Sequence, residues 1–216
     1  MADIAEREQY YIEATAQRRD FLLLVAGAMG VIGSAITLWP FIDSLNPAAD
    51  TRAAGAPLDV DLSPVRPGQQ IQVMWRGRPV FIVHRTQEEL KMLQDRKDLS
   101  LLSDPDSSAN QQPPYAKNWH RSANPEYLVL VGVCTHLGCI PKFESKPGGF
   151  LGAGWPGGYF CPCHGSKYDL AGRVFAGVPA PYNLPVPPYH FTGKKSIRLG
   201  ENPPGTTWDF SSIEQV

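Results

Sequence analysis

All four cysteines of this 216-residue chain fall into two short boxes, Cys134-Thr-His136-Leu-Gly-Cys139 and Cys161-Pro-Cys163-His164-Gly-Ser166. Two of its five histidines stand in the same boxes. Thiolates and imidazoles bind zinc, iron and copper, so gathering them in two loops able to face each other predicts a metal site. The residues alone leave two other readings open. Cys-x-His and Cys-x-x-His pairs can serve tetrahedral zinc, and two plain disulfides would use every sulfur. Zinc needs only four of the six candidates, and two disulfides leave both histidines without a role.

Such boxes need rigid elements to present them. Tyr127 to Val133 (YLVLVGV) is an apolar run leading directly into Cys134, which predicts a buried strand. Ile71 to Val83 (IQVMWRGRPVFIV) holds two β-rich runs around Arg76-Gly77-Arg78, a hairpin pattern, and Ser196 to Leu199 reads as a closing strand. Thr86 to Leu102 places an N-cap residue before Leu90, Leu93 and Leu101 at near-helical spacing, which predicts a surface helix. The 20 glycines and 21 prolines cluster after residue 145. Turns therefore separate short strands, and stacked antiparallel sheets are the expected architecture. His84, His120 and His190 lie outside the boxes and read as structural. Segments 96–114 and 146–158 suggest no role.

Ahead of this body, Phe21 to Ile42 carries no charged residue. As a helix it spans about 33 Å, which matches a hydrocarbon core of about 30 Å. Asp20 and Asp43 bound the run, Trp39 stands where an interfacial aromatic belongs, and Pro40 falls near the end. Arg18 and Arg19 just before it favour a cytoplasmic N-terminus over residues 1–20, with the body across the bilayer. Their string, QRRDFLLLV, also resembles a twin-arginine signal, which exports folded protein. The run is longer than a cleavable signal core, and no small-x-small site follows closely. Residues 43–57, rich in alanine and small polar side chains, read as a flexible hinge linker. Residues 58–216 form the soluble domain, with metal-binding chemistry over about 133–181. Twenty Lys+Arg against 21 Asp+Glu leave a charge of -1 and no basic face, so no nucleic acid is expected as partner.

CTHLGC and CPCHGS resemble the two cluster-binding loops of Rieske iron–sulfur proteins, of the bacterial subclass found in cytochrome bc complexes. WRGRPVFIVHRT (75–86) and PAPYNLPVPPYHF (179–191) resemble the same subunits. The resemblance implies a mainly β fold: a single N-terminal transmembrane helix, then a Rieske-type antiparallel β-sandwich with a small cluster-binding subdomain and one surface helix. It implies one 2Fe-2S cluster held by Cys134 and Cys161 on one iron and His136 and His164 on the other. Cys139 and Cys163 then form a disulfide between the loops, a pair that Rieske ferredoxins and oxygenase domains lack. Ser166 and Tyr168 stand where the family donates hydrogen bonds to cluster sulfurs. Gly177-Val-Pro179-Ala-Pro181 resembles the covering proline loop, with Val178 inserted in the usual Gly-Pro-Ala-Pro. Leu137 is implied to touch the quinol site.

The implied activity is that of a quinol:cytochrome c oxidoreductase subunit. In it, the domain takes an electron from quinol at cytochrome b, and a proton through His164. It then swings about the linker to a c-type cytochrome, contributing to a proton gradient. The implied partners are cytochrome b, a c-type cytochrome, quinol and the lipid bilayer, within a dimeric complex. The implied location is the bacterial inner membrane, single-pass, with the domain on the periplasmic side. A stand-alone Rieske carrier serving an oxygenase or a molybdenum oxidase is the competing reading. The extra cysteine pair and the anchor disfavour the first, and PAPYNLPVPPYHF disfavours the second.

Overall fold

The computed structural model describes residues 2–48, 55–95 and 99–215. It divides into two units, Met1–Asp50 and Thr51–Val216. The first unit is dominated by one helix, α1 (Ala2–Asp43), which starts well before the uncharged run and so includes the two arginines. Within it, Thr15–Asp43 reaches a mean hydropathy of 2.2, long and apolar enough to cross a membrane. Its leucines, Val31 and the isoleucines Ile32, Ile36 and Ile42 are exposed, as suits a helix solvated by lipid. Thr37 returns its hydroxyl to the Gly33 carbonyl, which satisfies a polar group without water. Of the expected hinge linker, residues 49–54 lie outside the described residues.

Among its described residues the second unit holds three antiparallel sheets of three strands. In the first, β1 (Leu58–Asp61) and β8 (Tyr189–Gly193) flank β9 (Ser196–Leu199). Ser196–Leu199 is therefore a central strand, paired on both sides, and does more than close the sheet. In the second, β3 (Arg78–His84) lies between β2 (Gln70–Trp75) and β4 (Tyr127–Val131). Trp75 pairs with Arg78, so Arg76 and Gly77 form a two-residue turn with φ of 50° and 71°, the hairpin conformation. The Arg76 guanidinium covers the Trp75 ring at 4.6 Å. Apolar side chains of both sheets, including Val80, Ile82, Val129, Ile197 and Leu199, share one core. The third sheet, β5 (Lys142–Glu144), β6 (Gly158–Phe160) and β7 (Lys167–Tyr168), is small and belongs to the region of the two boxes.

The expected surface helix forms as α2, Gln87–Asp95, shorter than its periodicity indicated. Thr86 accepts the Glu89 amide and Glu89 accepts the Thr86 amide, a capping box that starts the helix here. Leu90 and Leu93 are buried, but Leu101 is 54% exposed and sits in a separate 3-10 turn, Leu99–Leu101. Its carbonyl takes the Ala176 amide, and Leu102 bridges to Phe175. Pairing with a distant segment outweighs local helical spacing there.

The three histidines outside the boxes have structural partners. His84 bonds the Val65 carbonyl, His190 approaches the Glu201 carbonyl, and His120 bonds Ser122 at 2.7 Å. Burial first, then the charge of Arg85, pulls the His120 imidazole from its ordinary 6.5 down to about 4. Between those values the unfolded chain binds more protons than the folded one. The stability tied to neutral His120 is thus present above about pH 6.5 and lost as pH falls toward 4. With this ring half-exposed, solvent screening reduces the effect to about 1 kcal/mol. Urea titrations at pH 7 and pH 4.5 should show a smaller acid loss in His120→Asn than in the parent; equal losses would refute the assignment.

Candidate metal centre

The two boxes fold into loops of one design. In the first, Cys134 N–H donates to the Cys139 carbonyl (2.7 Å) and Gly138 N–H to the Cys134 carbonyl (3.0 Å). In the second, Cys161 N–H donates to the Ser166 carbonyl (2.8 Å) and Gly165 N–H to the Cys161 carbonyl (3.0 Å). Gly138 and Gly165 hold φ of 83° and 80° at matching points, a left-handed conformation that closes each ring and favours glycine. Strand β4 delivers the first loop, and β6 and β7 hold the second between them. Gly132, on the step from β4 to Cys134, lies so close to the Phe81 ring that a Cβ would run into it.

Cys139 and Cys163 are joined as a disulfide across the loops. By the chain-entropy account, a link spanning 24 residues contributes about 3 kcal/mol. The Cys161 sulfur lies within 4.8 Å of both disulfide sulfurs, but those are bonded to each other and offer no thiolate. Cys134 and Cys161 remain as free, buried thiols. Burial above all pushes the Cys161 thiol up, and Cys134 adds to this. A bound cation reverses that cost, since it takes the thiolate directly. The His136 and His164 rings stand 4.7 Å apart and nearly perpendicular, His164 exposed and His136 half-buried. His136 Nδ1 is buried without a hydrogen-bond partner. A nitrogen so placed forfeits about 1–3 kcal/mol unless something outside the chain engages it. Two thiols, two imidazoles and one orphaned ring nitrogen fit a metal group.

Tyr168 stands over the first loop. Its hydroxyl is 3.2 Å from the Cys134 sulfur and accepts the Thr135 amide at 3.2 Å, and burial pushes its ionisation well above the ordinary value. Ser166 is fully buried and accepts the Ala180 amide at 3.1 Å. The serine thus ties the second loop to the proline segment, and its own hydrogen is left to donate. Thr135, which sequence reading passed over, ties the first loop to the same segment by donating to the Tyr182 carbonyl at 2.7 Å. Gly177, Pro179 and Pro181 are exposed along that segment, while the inserted Val178 packs on the core and anchors it. Leu137 is 71% exposed at the tip of the first loop, with Ile140 exposed nearby.

Beneath the loops lies a polar frame that no motif announced. Arg121 is fully buried; it donates to the Ala171, Gly172 and Leu184 carbonyls and to Gln112 Oε1 at 2.8–3.2 Å. Burial lowers its guanidinium to about 9, still charged at neutral pH. Asp169 and Arg173 form a buried ion pair at 2.6 Å, and Asn183 joins Val174 to Asp104. The 103–112 segment, which suggested no role in the sequence, supplies acceptors and donors to this frame.

Comparison with known proteins then separates zinc from iron–sulfur. Residues 114–188 match the Rieske 2Fe-2S domain, and residues 11–48 match the Ubiquitinol-cytochrome C reductase Fe-S subunit TAT signal. The ubiquinol-cytochrome c reductase iron-sulfur subunit of Allochromatium vinosum is 47% identical over 86% of this chain and 89% of its own length. That of Blastochloris viridis is 48% identical over 87% of this chain and 94% of its own. The chain belongs to the ubiquinol–cytochrome c reductase iron–sulfur subunit family. A chain of a hyperthermophilic respiratory complex III is also similar, at 27% identity and a TM-score of 0.44, over 80% of this chain and 97% of that one. As a member of this family, the chain is a subunit of an oxidoreductase, anchored by α1, and carries a Rieske-type 2Fe-2S cluster. The donor set above fits that cofactor.

Proposed function

We propose that the soluble domain oxidises quinol one electron at a time and delivers each electron to a c-type cytochrome, within a membrane complex built on cytochrome b. Cys134 and Cys161 would hold one iron of the cluster, and His136 and His164 the other. The observation that carries this is the buried, unpartnered His136 Nδ1, two residues from the free Cys134 thiol in the same loop and with the exposed His164 ring 4.7 Å from its own. When bound, the cluster supplies a one-electron acceptor of raised potential, because two neutral imidazoles replace two thiolates. His164, open to solvent, receives the quinol hydroxyl proton, and the exposed Leu137 packs against the quinol and the cytochrome b surface. Tyr168 and Ser166 donate toward sulfur, and the 177–181 segment keeps water from the covered side. The linker at 43–57 lets the domain travel between its two partners. The body lies on the periplasmic side of the bacterial inner membrane, a topology that the arginines before α1 support, and a dimeric complex is part of the same proposal.

An EPR-monitored redox titration of the purified chain tests this. A Rieske signal is expected, at a potential that falls with rising pH because electron and proton uptake are linked at the imidazoles. A low, pH-independent potential would instead mark an oxygenase carrier, and zinc without iron would remove the redox reading. In the same titration, Tyr168→Phe and Ser166→Ala should each lower the potential, since both remove a donor that favours the more negative reduced state. Parental potentials in both variants would count against those roles.

A further inference from the structure

Beyond β9 the chain continues through residues 201–215, past the 114–188 match to the Rieske domain. This tail does not trail in solvent. Phe210 is buried edge-on against Trp75 at 5.2 Å, with Trp208 beside it at 6.0 Å. Asp209 caps the 3-10 turn Phe210–Ser212 by accepting the Ser211 amide. Asn110 clasps the turn on two sides: its Nδ2 donates to the Ser212 carbonyl and hydroxyl (2.8 and 3.0 Å), and its Oδ1 accepts from Trp208 Nε1 (3.2 Å). Gln111, buried, then donates from Nε2 to the Gln215 carbonyl at 3.0 Å, while its own carbonyl takes the Val186 amide. From that fixed point Gln215 Nε2 donates to the His136 carbonyl at 3.3 Å.

The geometry points to Gln215 as a positioning residue for the first cluster loop, held by a tail that Asn110 and Gln111 strap to the domain. The inference rests on the reading of His136 as a ligand. The Cys134 and Cys139 carbonyls are taken by amides of the loop itself, whereas the His136 carbonyl is taken from outside, by the tail. That carbonyl belongs to the peptide joining His136 to the exposed Leu137. Fixing it fixes both the bearing of the imidazole and the direction of the loop tip. Such outer partners orient ligands and tune the group they bind. Without the donor, the peptide keeps the loop's own amide bonds but loses its outer brace, and the site loses a polarised dipole.

The test uses the full chain, loaded with its cluster, in detergent. Gln215→Ala, Gln215→Met, Asn110→Ala and the Asn110→Ala/Gln215→Ala pair are compared with the parent by redox titration and EPR line shape. Gln215→Met keeps most of the length, stays neutral and removes the donor, so it separates donation from packing. The expected result is an intact Rieske signal throughout, a lower potential and broader lines in both Gln215 variants, the same shift in Asn110→Ala, and no further shift in the pair. Parental potential and line shape in Gln215→Ala, with the signal intact, would overturn the proposal. A Gln215 shift that Asn110→Ala fails to reproduce would overturn the strap. Absence of the signal from the parent itself would strike the ligand reading instead, which keeps the two failures distinct.

Discussion

Replacing His136 by alanine is expected to strip the chain of its cluster while the two larger sheets stay folded. His136 Nδ1 is the buried polar atom that the chain leaves unpartnered in the site, so its only compensation comes from the bound group. Removing even an outer partner of a metal ligand costs about 10–100-fold in affinity, and removal of the ligand itself must exceed that. Iron per chain should therefore fall by more than about tenfold and the Rieske signal should vanish. Far-UV circular dichroism should change little, because the strand residues of the shared core come mostly from β1–β4, β8 and β9, and His136 is not part of that core even though Cys134, Tyr159, Cys161 and Tyr168 are. A variant that retains parental iron and line shape would remove His136 from the ligand set. A variant that loses its β signal as well would show that the cluster is needed for the fold.

The largest effect on stability should come from a residue that touches no metal. Arg121→Leu is expected to cost about 3–5 kcal/mol in urea unfolding. Leucine fills part of the space but leaves the Ala171, Gly172 and Leu184 carbonyls and Gln112 Oε1 buried without their donor. Each such acceptor costs about 1–3 kcal/mol, partly recovered by relaxation and by no longer burying a charge. Because those carbonyls lie just after the second loop and just after the proline segment, the variant should also release iron faster. A loss below about 1 kcal/mol would mean that water replaces the guanidinium, and that the frame is less dry than the structure shows.

The two sites differ in how they could be found. His136 sits in a box whose residue types have few other uses, so its chemistry is written in spacing: Cys-x-His, Cys-x-x-His and a glycine where each loop must turn left-handed. Arg121 carries no such mark. It stands in an unremarkable polar stretch, KNWHRSANP, and only folding brings it under carbonyls 50 to 63 residues away. Thr135 and Gln215 are similar cases, since a threonine inside a box and a glutamine in a polar tail gain meaning only from the Tyr182 and His136 carbonyls they meet. Leu101 shows the converse, a local pattern that failed because its carbonyl had a better partner at Ala176.

Local rules thus account for what the chain determined by itself. An uncharged run long enough for a bilayer, a two-residue hairpin turn at Arg76-Gly77, a Thr86 cap and two ligand boxes each depend on residues within a few positions of one another. Tertiary structure decided the rest: that Ser196–Leu199 is central in its sheet, that Val178 anchors the covering segment, and that three distant carbonyls converge with Gln112 on one guanidinium. Those outcomes depend on which buried polar groups find partners across the fold. Local spacing carries no record of such pairings, because burial and partnership are properties of the whole core and not of any one segment.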